Sequence, residues 1–224
     1  MTSAMQHSSK ETRRTGEAVP TLQERKQQVV RDAIWDAATD LFTEKGFNET
    51  TVDDIVQAAG VSRRSFFRYF ESKNDLMAYA MVNYGAELIA AIDACPEDCS
   101  LSELLRETVT QVAERAAARP RSPKILAIVS KYADARVAQA SRLVEVQDLV
   151  TQSLARRCRK AGEDKLAPSI LAGLIVELAG LTVQWWYEHG QRNISDAVDQ
   201  TLATAGRILS GSCRASGSRR TAQK

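Results

Sequence analysis

Three features of the sequence predict an all-α fold. Apolar residues recur at helical spacing between recognisable capping residues along most of the chain. No stretch alternates apolar and polar residues for long enough to make a useful strand. Hydrophobic content is 44% with only 6% aromatic residues, 11 Gly and 5 Pro, a balance that favours helix over sheet. About nine helices are expected in a chain of 224 residues, long enough for one large domain or two small ones. The expected organisation is an arm over 1–20, a three-helix unit over 21–71, a larger helical unit over 72–211 and a tail over 212–224.

Residues 1–20 are polar and rich in Ser, Thr and Arg, the composition of a disordered basic arm. Arg13 and Arg14 in it resemble the basic arms that reach into a minor groove. The first helix is predicted from about Leu22 to Lys45, with Val30, Ile34, Ala38 and Leu41 on one face. Gly46 ends it, and Phe47 is placed to plug the three-helix core. Thr51 caps a second helix whose apolar face is Val52, Ile55, Val56 and Ala59. Gly60 stops it, because glycine accepts a left-handed turn at little cost. Ser62 caps a third helix that buries Phe66 and Phe70, four residues apart. Two short helices joined by a tight glycine turn make a helix-turn-helix over 51–70.

Ser72, with Asp75 three positions later, caps a fourth helix running through Leu76, Ala80 and Tyr84 to about Ala94. It spans both units and is the expected mechanical link between them. Pro96 breaks the chain, and Ser100 caps a helix to about Arg119. Pro120 and Pro123 precede a shorter helix over 124–135. Longer helices follow at about 137–161, 168–189 and 194–210. The tail is basic and is expected to be disordered.

The net charge of +2 says little, but its distribution says more. Residues 1–31 carry six basic and three acidic groups, 32–59 one basic and seven acidic, and 60–73 four basic and one acidic. Positive charge thus gathers on the arm and on the second helix of the helix-turn-helix, where phosphates would lie. Arg63, Arg64, Ser65, Arg68 and Tyr69 sit mostly off the Phe66/Phe70 face. Such a basic, hydroxyl-bearing surface suits a major groove.

Catalytic and metal chemistry has little to start from. The sequence has no glycine-rich phosphate loop, no HExxH and no Cys/His cluster with zinc spacing. Its two histidines, His7 and His189, lie near no promising Ser, Cys or Asp in sequence. Asp53 and Asp54 fall in the first turn of a helix, where the dipole stabilises them structurally. No catalytic residue, metal ligand or cofactor is expected. The four cysteines, Cys95, Cys99, Cys158 and Cys213, do not form a disulfide framework, and the Cys95/Cys99 spacing alone does not make a metal site. No apolar run of 18 residues stands out, so no membrane span is expected. The polar N-terminus lacks an apolar signal core, which makes the cytosol the expected compartment.

The run from Thr51 to Lys73, with GVSRRSFFRYFESK from Gly60, closely resembles the DNA-binding domain of the TetR family of bacterial transcriptional regulators. The resemblance reaches upstream to about Arg25, through FTEKGFNETTVDDI, and downstream to about Tyr84. It implies a repressor that binds a near-palindromic double-stranded operator as a homodimer and is released by a small ligand. By the same resemblance Thr51, Ser62, Arg63, Arg64, Ser65, Phe67, Tyr69 and Lys73 occupy DNA-facing positions. Arg63 and Arg64 are the expected base readers, since arginine can bond two acceptors of guanine. Thr51, Tyr69 and Lys73 are expected on phosphates. Phe67 departs from the Tyr often found there, which leaves apolar contact with a sugar or a thymine methyl.

The resemblance further implies a pocket and a dimer interface in the second unit. Leu105, Val109, Val112, Ile128, Tyr132, Leu149 and Leu178 are the candidate lining residues. Their inner faces hold few polar groups, so an apolar or amphipathic ligand is expected. Trp185, Trp186, Val198 and Leu202, on the last two helices, are the candidate interface residues. The alternatives are a DNA-binding regulator without a ligand switch, a helical adaptor whose Arg63/Arg64 face meets an acidic protein, and a helical enzyme, which the missing catalytic constellation disfavours.

Overall fold

A computed structural model describes residues 21–158 and 166–212. The arm with Arg13 and Arg14, and the tail from 213 onward, lie outside the described residues. Among the described residues there are nine helices and no strand: α1 Leu22–Glu44, α2 Val52–Ala59, α3 Arg63–Tyr69, α4 Lys73–Ala94, α5 Leu101–Ala117, α6 Arg121–Lys131, α7 Ala133–Cys158, α8 Ala167–Glu188 and α9 Ile194–Leu209.

Side-chain caps explain where many of these helices begin. Thr21, Thr51 and Ser100 each accept the backbone N–H of a carboxylate residue three positions on, and that carboxylate accepts the cap residue's own N–H. Ser62 and Ser72 accept N–H groups from Ser65 and Asp75. The N–H groups these oxygens accept would otherwise be unpaired at a helix start.

The bounds of two neighbouring helices differ from expectation. The helix predicted over 124–135 runs from Arg121 to Lys131. Pro123 sits inside its first turn, where no intrahelical N–H is needed, so it does not delay the start. Tyr132 then turns extended (φ −113°, ψ 119°), and α7 begins at Ala133 rather than 137.

The helices bury two apolar clusters. The first holds Ile34, Trp35, Phe42, Phe47, Ile55, Phe66, Phe70, Leu76 and Met77, joined by Ile128 from α6 and Ala135 and Ala138 from α7. The second holds Leu88, Ile92, Leu104, Val109, Val112, Val146, Val150, Leu154, Leu171, Ile175 and Leu178. Helix α4 contributes its first turns to one and its last turns to the other. At Gly85, midway along it, the backbone comes so close to Val146 of α7 that an added Cβ would lie 3.3 Å from that side chain.

Helix α8 corrects the expectation about apolar runs, because its 22 residues are long and apolar enough to cross a membrane. Leu171, Ala172, Ile175, Val176, Ala179 and Thr182 of this helix are instead buried against the rest of the chain. That places it as a core helix.

Candidate nucleic-acid interface and ligand cavity

The turn between α2 and α3 is built by Gly60, whose backbone is left-handed (φ 64°). Its N–H bonds back to Val56 and Gln57, and that of Val61 to Val56 at 3.0 Å, so the helix end is closed within the turn. Phe66 is fully buried and Phe70 nearly so. With Phe66 inward, the helical period puts Arg64 and Arg68 on the opposite, outer side, flanked by Arg63 and Phe67.

The predicted contact residues stand as follows. Arg64 is exposed and, among the described residues, unpaired. Arg63 is exposed but bonds Asp53 of α2 at 2.5 Å and lies 5.7 Å from the centre of the Phe67 ring. Phe67 is 48% exposed and packs edge-on against Phe66. The Ser62 and Ser65 hydroxyls are 3.0 Å apart at the start of α3. Tyr69 is half-buried, its hydroxyl accepting from Arg68 at 2.8 Å, with the Arg31 guanidinium 5.4 Å from its ring centre. Thr51 is exposed and shares its hydroxyl with Asp54, which Lys45 also bonds at 2.8 Å. The Lys45 bond, with those of Thr51, holds the Asp54 carboxyl far below the usual carboxylate range.

Lys73, expected on a phosphate, has its ammonium bonded within the chain. Its ammonium donates to the carbonyls of Phe47, Asn48 and Thr50 at 2.8, 2.9 and 3.2 Å. All three of its donors are committed to the loop between α1 and α2, so it clamps that loop to the start of α4. Asp53, Arg31 and Arg68, which steer the outer face, were not singled out as site residues. The spacing of Asp53 and Arg63 across a helix-turn-helix was the signal available for one of them.

Between α4, α5, α6, α7 and α8 lies a cavity of about 800 Å³ that reaches α1. Met81, Ala90, Val112, Leu126, Leu143 and Val183 form part of its apolar wall. Contrary to the expectation of few polar groups, Asp32, Glu87, Glu177, Arg119, Arg121 and Arg136 also line it. Arg119 pairs with Glu87. The Tyr84 hydroxyl donates to the carbonyl of Val176 at 2.6 Å, and burial pushes it above the ordinary phenol range, with Glu177 adding to the effect.

Of the seven candidate lining residues only Val112 faces this cavity. Val109 and Leu178 are buried in the second apolar cluster and Leu105 packs against it. Ile128 and Tyr132 belong to the first, and Leu149 is exposed. Arg121 also reaches out of the cavity to α1, bonding Asp36 at 2.6 Å and lying 3.7 Å from Asp32. Lys124 pairs with Asp40 beside it. An acidic row at 32, 36 and 40, spaced four apart, meets a basic pair at 121 and 124. That row is visible in the sequence but was read there only as net charge.

Residues 34–80 match the family described as bacterial regulatory proteins, tetR family. That stretch of the chain is similar to the N-terminal domain of the family. The matched residues take in the second half of α1, all of α2 and α3 and the first turns of α4. The regulator MftR of Mycobacterium tuberculosis is 35% identical over 82 residues, 37% of this chain and 41% of that protein. The uncharacterised regulator Rv0472c of the same organism is 27% identical over 173 residues, 75% of this chain and 72% of that one. The chain therefore spans less than half of MftR. A solved TetR-family regulator from Syntrophomonas wolfei, 18% identical, shares the fold with a TM-score of 0.63 over 82% of this chain and 96% of that one.

On the surface of the second unit, α8 exposes Ile170 (53%) and Leu181 (44%), with Trp185 half-buried and stacked on His189 at 3.9 Å between ring centres. Ile170, Leu181 and Trp185 lie eleven and four residues apart, on one stripe of the helix. Of the candidate interface residues, Trp185 is on that stripe. Trp186 and Val198 are buried within their own chain, and Leu202 packs against the second cluster. Their apolar burial is already used inside the protomer. Among the described residues no group of His, Cys, Asp and Glu has an arrangement that could hold a metal.

Proposed function

We propose that this protein is a cytoplasmic repressor of the TetR family that binds a near-palindromic operator as a homodimer and is released by a small amphipathic ligand. The observation that carries the reading is the outer face of α3, with Arg64 unpaired and Phe67 bare beside it. An unpaired guanidinium there can bond guanine in the major groove without first breaking a protein contact. Thr51, Ser62, Ser65 and Tyr69 would fix register on phosphates, while Arg63 would exchange Asp53 for DNA.

The exposed stripe of α8, Ile170, Leu181 and Trp185, is the proposed dimer contact. A two-fold pair would set the recognition helices about one duplex turn apart. The 800 Å³ cavity is within the range of small-molecule sites, and its apolar wall with paired charges suits a ligand that has an apolar body and a polar group. A ligand that takes Arg121 from Asp32 and Asp36 would change how α6 holds α1. It would thereby favour a form whose recognition helices no longer match successive grooves.

The test is selection of bound duplex from a random pool, repeated with amphipathic compounds present. A two-fold symmetric sequence should emerge, and some compounds should abolish its recovery. Recovery of no preferred sequence would defeat the regulator reading. A preferred sequence that no compound affects would defeat only the ligand switch.

A further inference from the structure

Cys95 and Cys99 face a second, open cavity of about 540 Å³ at the far end of α4 from the DNA-binding unit. Cys95 is the C-cap of α4, and Pro96 starts a turn closed by the N–H of Cys99 on the carbonyl of Pro96 at 3.3 Å. The turn folds the chain back, so both thiols line the same cavity. Arg157 of α7 reaches across to them. Its guanidinium donates to the carbonyls of Ile92 and Cys95 at 2.9 and 2.7 Å, and lies 3.6 Å from the Cys99 sulfur.

The two thiols differ in setting. Cys99 is partly exposed, with the Arg157 guanidinium against its sulfur. Cys95 is buried, and its thiol donates to the carbonyl of Ala91 at 3.3 Å. Burial pushes the Cys95 thiol up, and the neighbouring Cys99 adds to this, so Cys95 stays protonated. The Thr108 hydroxyl, buried and without a hydrogen bond of normal geometry, lies beside it.

We propose that Cys99 and Cys95 form a hydroperoxide-reactive dithiol, with Cys99 the attacking sulfur and Cys95 the resolving thiol. The Cys99 sulfur attacks one peroxide oxygen, the O–O bond breaks, and the departing hydroxide takes a proton to leave as water. Cys99 is then a sulfenic acid. Cys95 attacks the Cys99 sulfur, the S–O bond breaks, and the hydroxide leaves as water with the Cys95 proton. The two thiols lose two electrons, the peroxide gains them, and a disulfide remains. A reducing thiol restores the pair. Formation and loss of such a bond is the usual role of a disulfide in a reducing compartment. It would remake the C-cap of α4, whose other end holds the helix-turn-helix.

The full-length protein is treated with hydrogen peroxide, quenched, and mapped by trypsin and mass spectrometry. Both cysteines fall in one tryptic peptide, 74–106. That peptide should become lighter by two hydrogens, about tenfold faster than Cys158 or Cys213 is modified, and should recover its mass with dithiothreitol. Cys95→Ser should stop at a sulfenic acid trapped by dimedone on Cys99. Cys99→Ser should leave the Cys95 thiol unmodified at the same dose. Oxidation of Cys158 or Cys213 while peptide 74–106 keeps its mass would overturn the proposal. A Cys99–Cys99 link between chains would overturn the resolving role of Cys95. The wild-type map decides even if either variant folds poorly.

Discussion

Arg63 and Arg64 are adjacent in sequence and differ in state. Arg63 is held by Asp53, while Arg64 has no partner among the described residues. An exposed pair such as Arg63–Asp53 contributes under about 1 kcal/mol, so DNA can displace it. Arg64→Ala should therefore cost about 1–3 kcal/mol of discrimination at one base pair, read by competition binding against single-site operator variants. Asp53→Asn should tighten binding to any duplex and steepen its salt dependence. Unchanged affinity and slope in that variant would mean that Arg63 does not reach DNA. Asp54 acts on stability instead. Its carboxyl is held well below the ordinary 3.8, mainly by Lys45 and then by Thr51. The unfolded chain thus binds this proton more readily than the folded one, so the contribution is complete above about pH 4 and is lost as pH falls below that. Asp54→Asn should lower stability at pH 7 and flatten its decline below pH 4 in acid titrations followed by circular dichroism. The basic face of α3 was legible in the residues alone. The fate of Lys73 was not, because nothing local to ESKND shows that three carbonyls from 23 to 26 residues upstream converge on it.

Helix α6 couples the cavity to the DNA-binding unit. Arg121 and Lys124 grip the acidic row of α1, and Tyr132 at its end tilts against Phe47 with ring centres 6.2 Å apart. The same tyrosine crowds Gly46, where a Cβ would fall 2.8 Å from its hydroxyl on a backbone of φ +103°. Gly46→Ala should cost about 1–3 kcal/mol in urea unfolding, from the strained backbone and the crowding together. Adding Tyr132→Phe should recover part of that loss and leave the backbone share. In Arg121→Ala/Lys124→Ala, amide exchange should speed up over residues 32–40 and stay unchanged over α8. Equal exchange in both regions would show that α6 does not brace α1. Most helix boundaries were legible because caps are local. The break at Tyr132 was not, since neither glycine nor proline marks it and packing on the other unit sets it.

At the scale of the molecule, two apolar clusters meet along α4 and α7, and a stripe of α8 is left uncovered. Leu181→Glu should place a charge in the proposed dimer contact while leaving the buried face of α8 intact. The expected outcome is a monomer by light scattering with helical content retained and operator binding lost. A dimer that survives this change would move the interface elsewhere. The existence of a second helical unit was legible from periodicity, but its void was not. A residue on an apolar helix face packs on a neighbour or borders a space according to helix placement, and only Val112 of the seven candidates borders the cavity. The sharing of α4 between clusters has a consequence of scale. At a rise of 1.5 Å per residue, Lys73 stands about 22 Å from Leu88, where the second cluster grips the helix. Pivoting there by ~6° would swing the Lys73 end through ~2 Å, and in a two-fold pair opposite swings would add to ~5 Å, a large fraction of a major groove ~12 Å wide. A few degrees of rotation deep in the second unit are enough to put one recognition helix out of its groove.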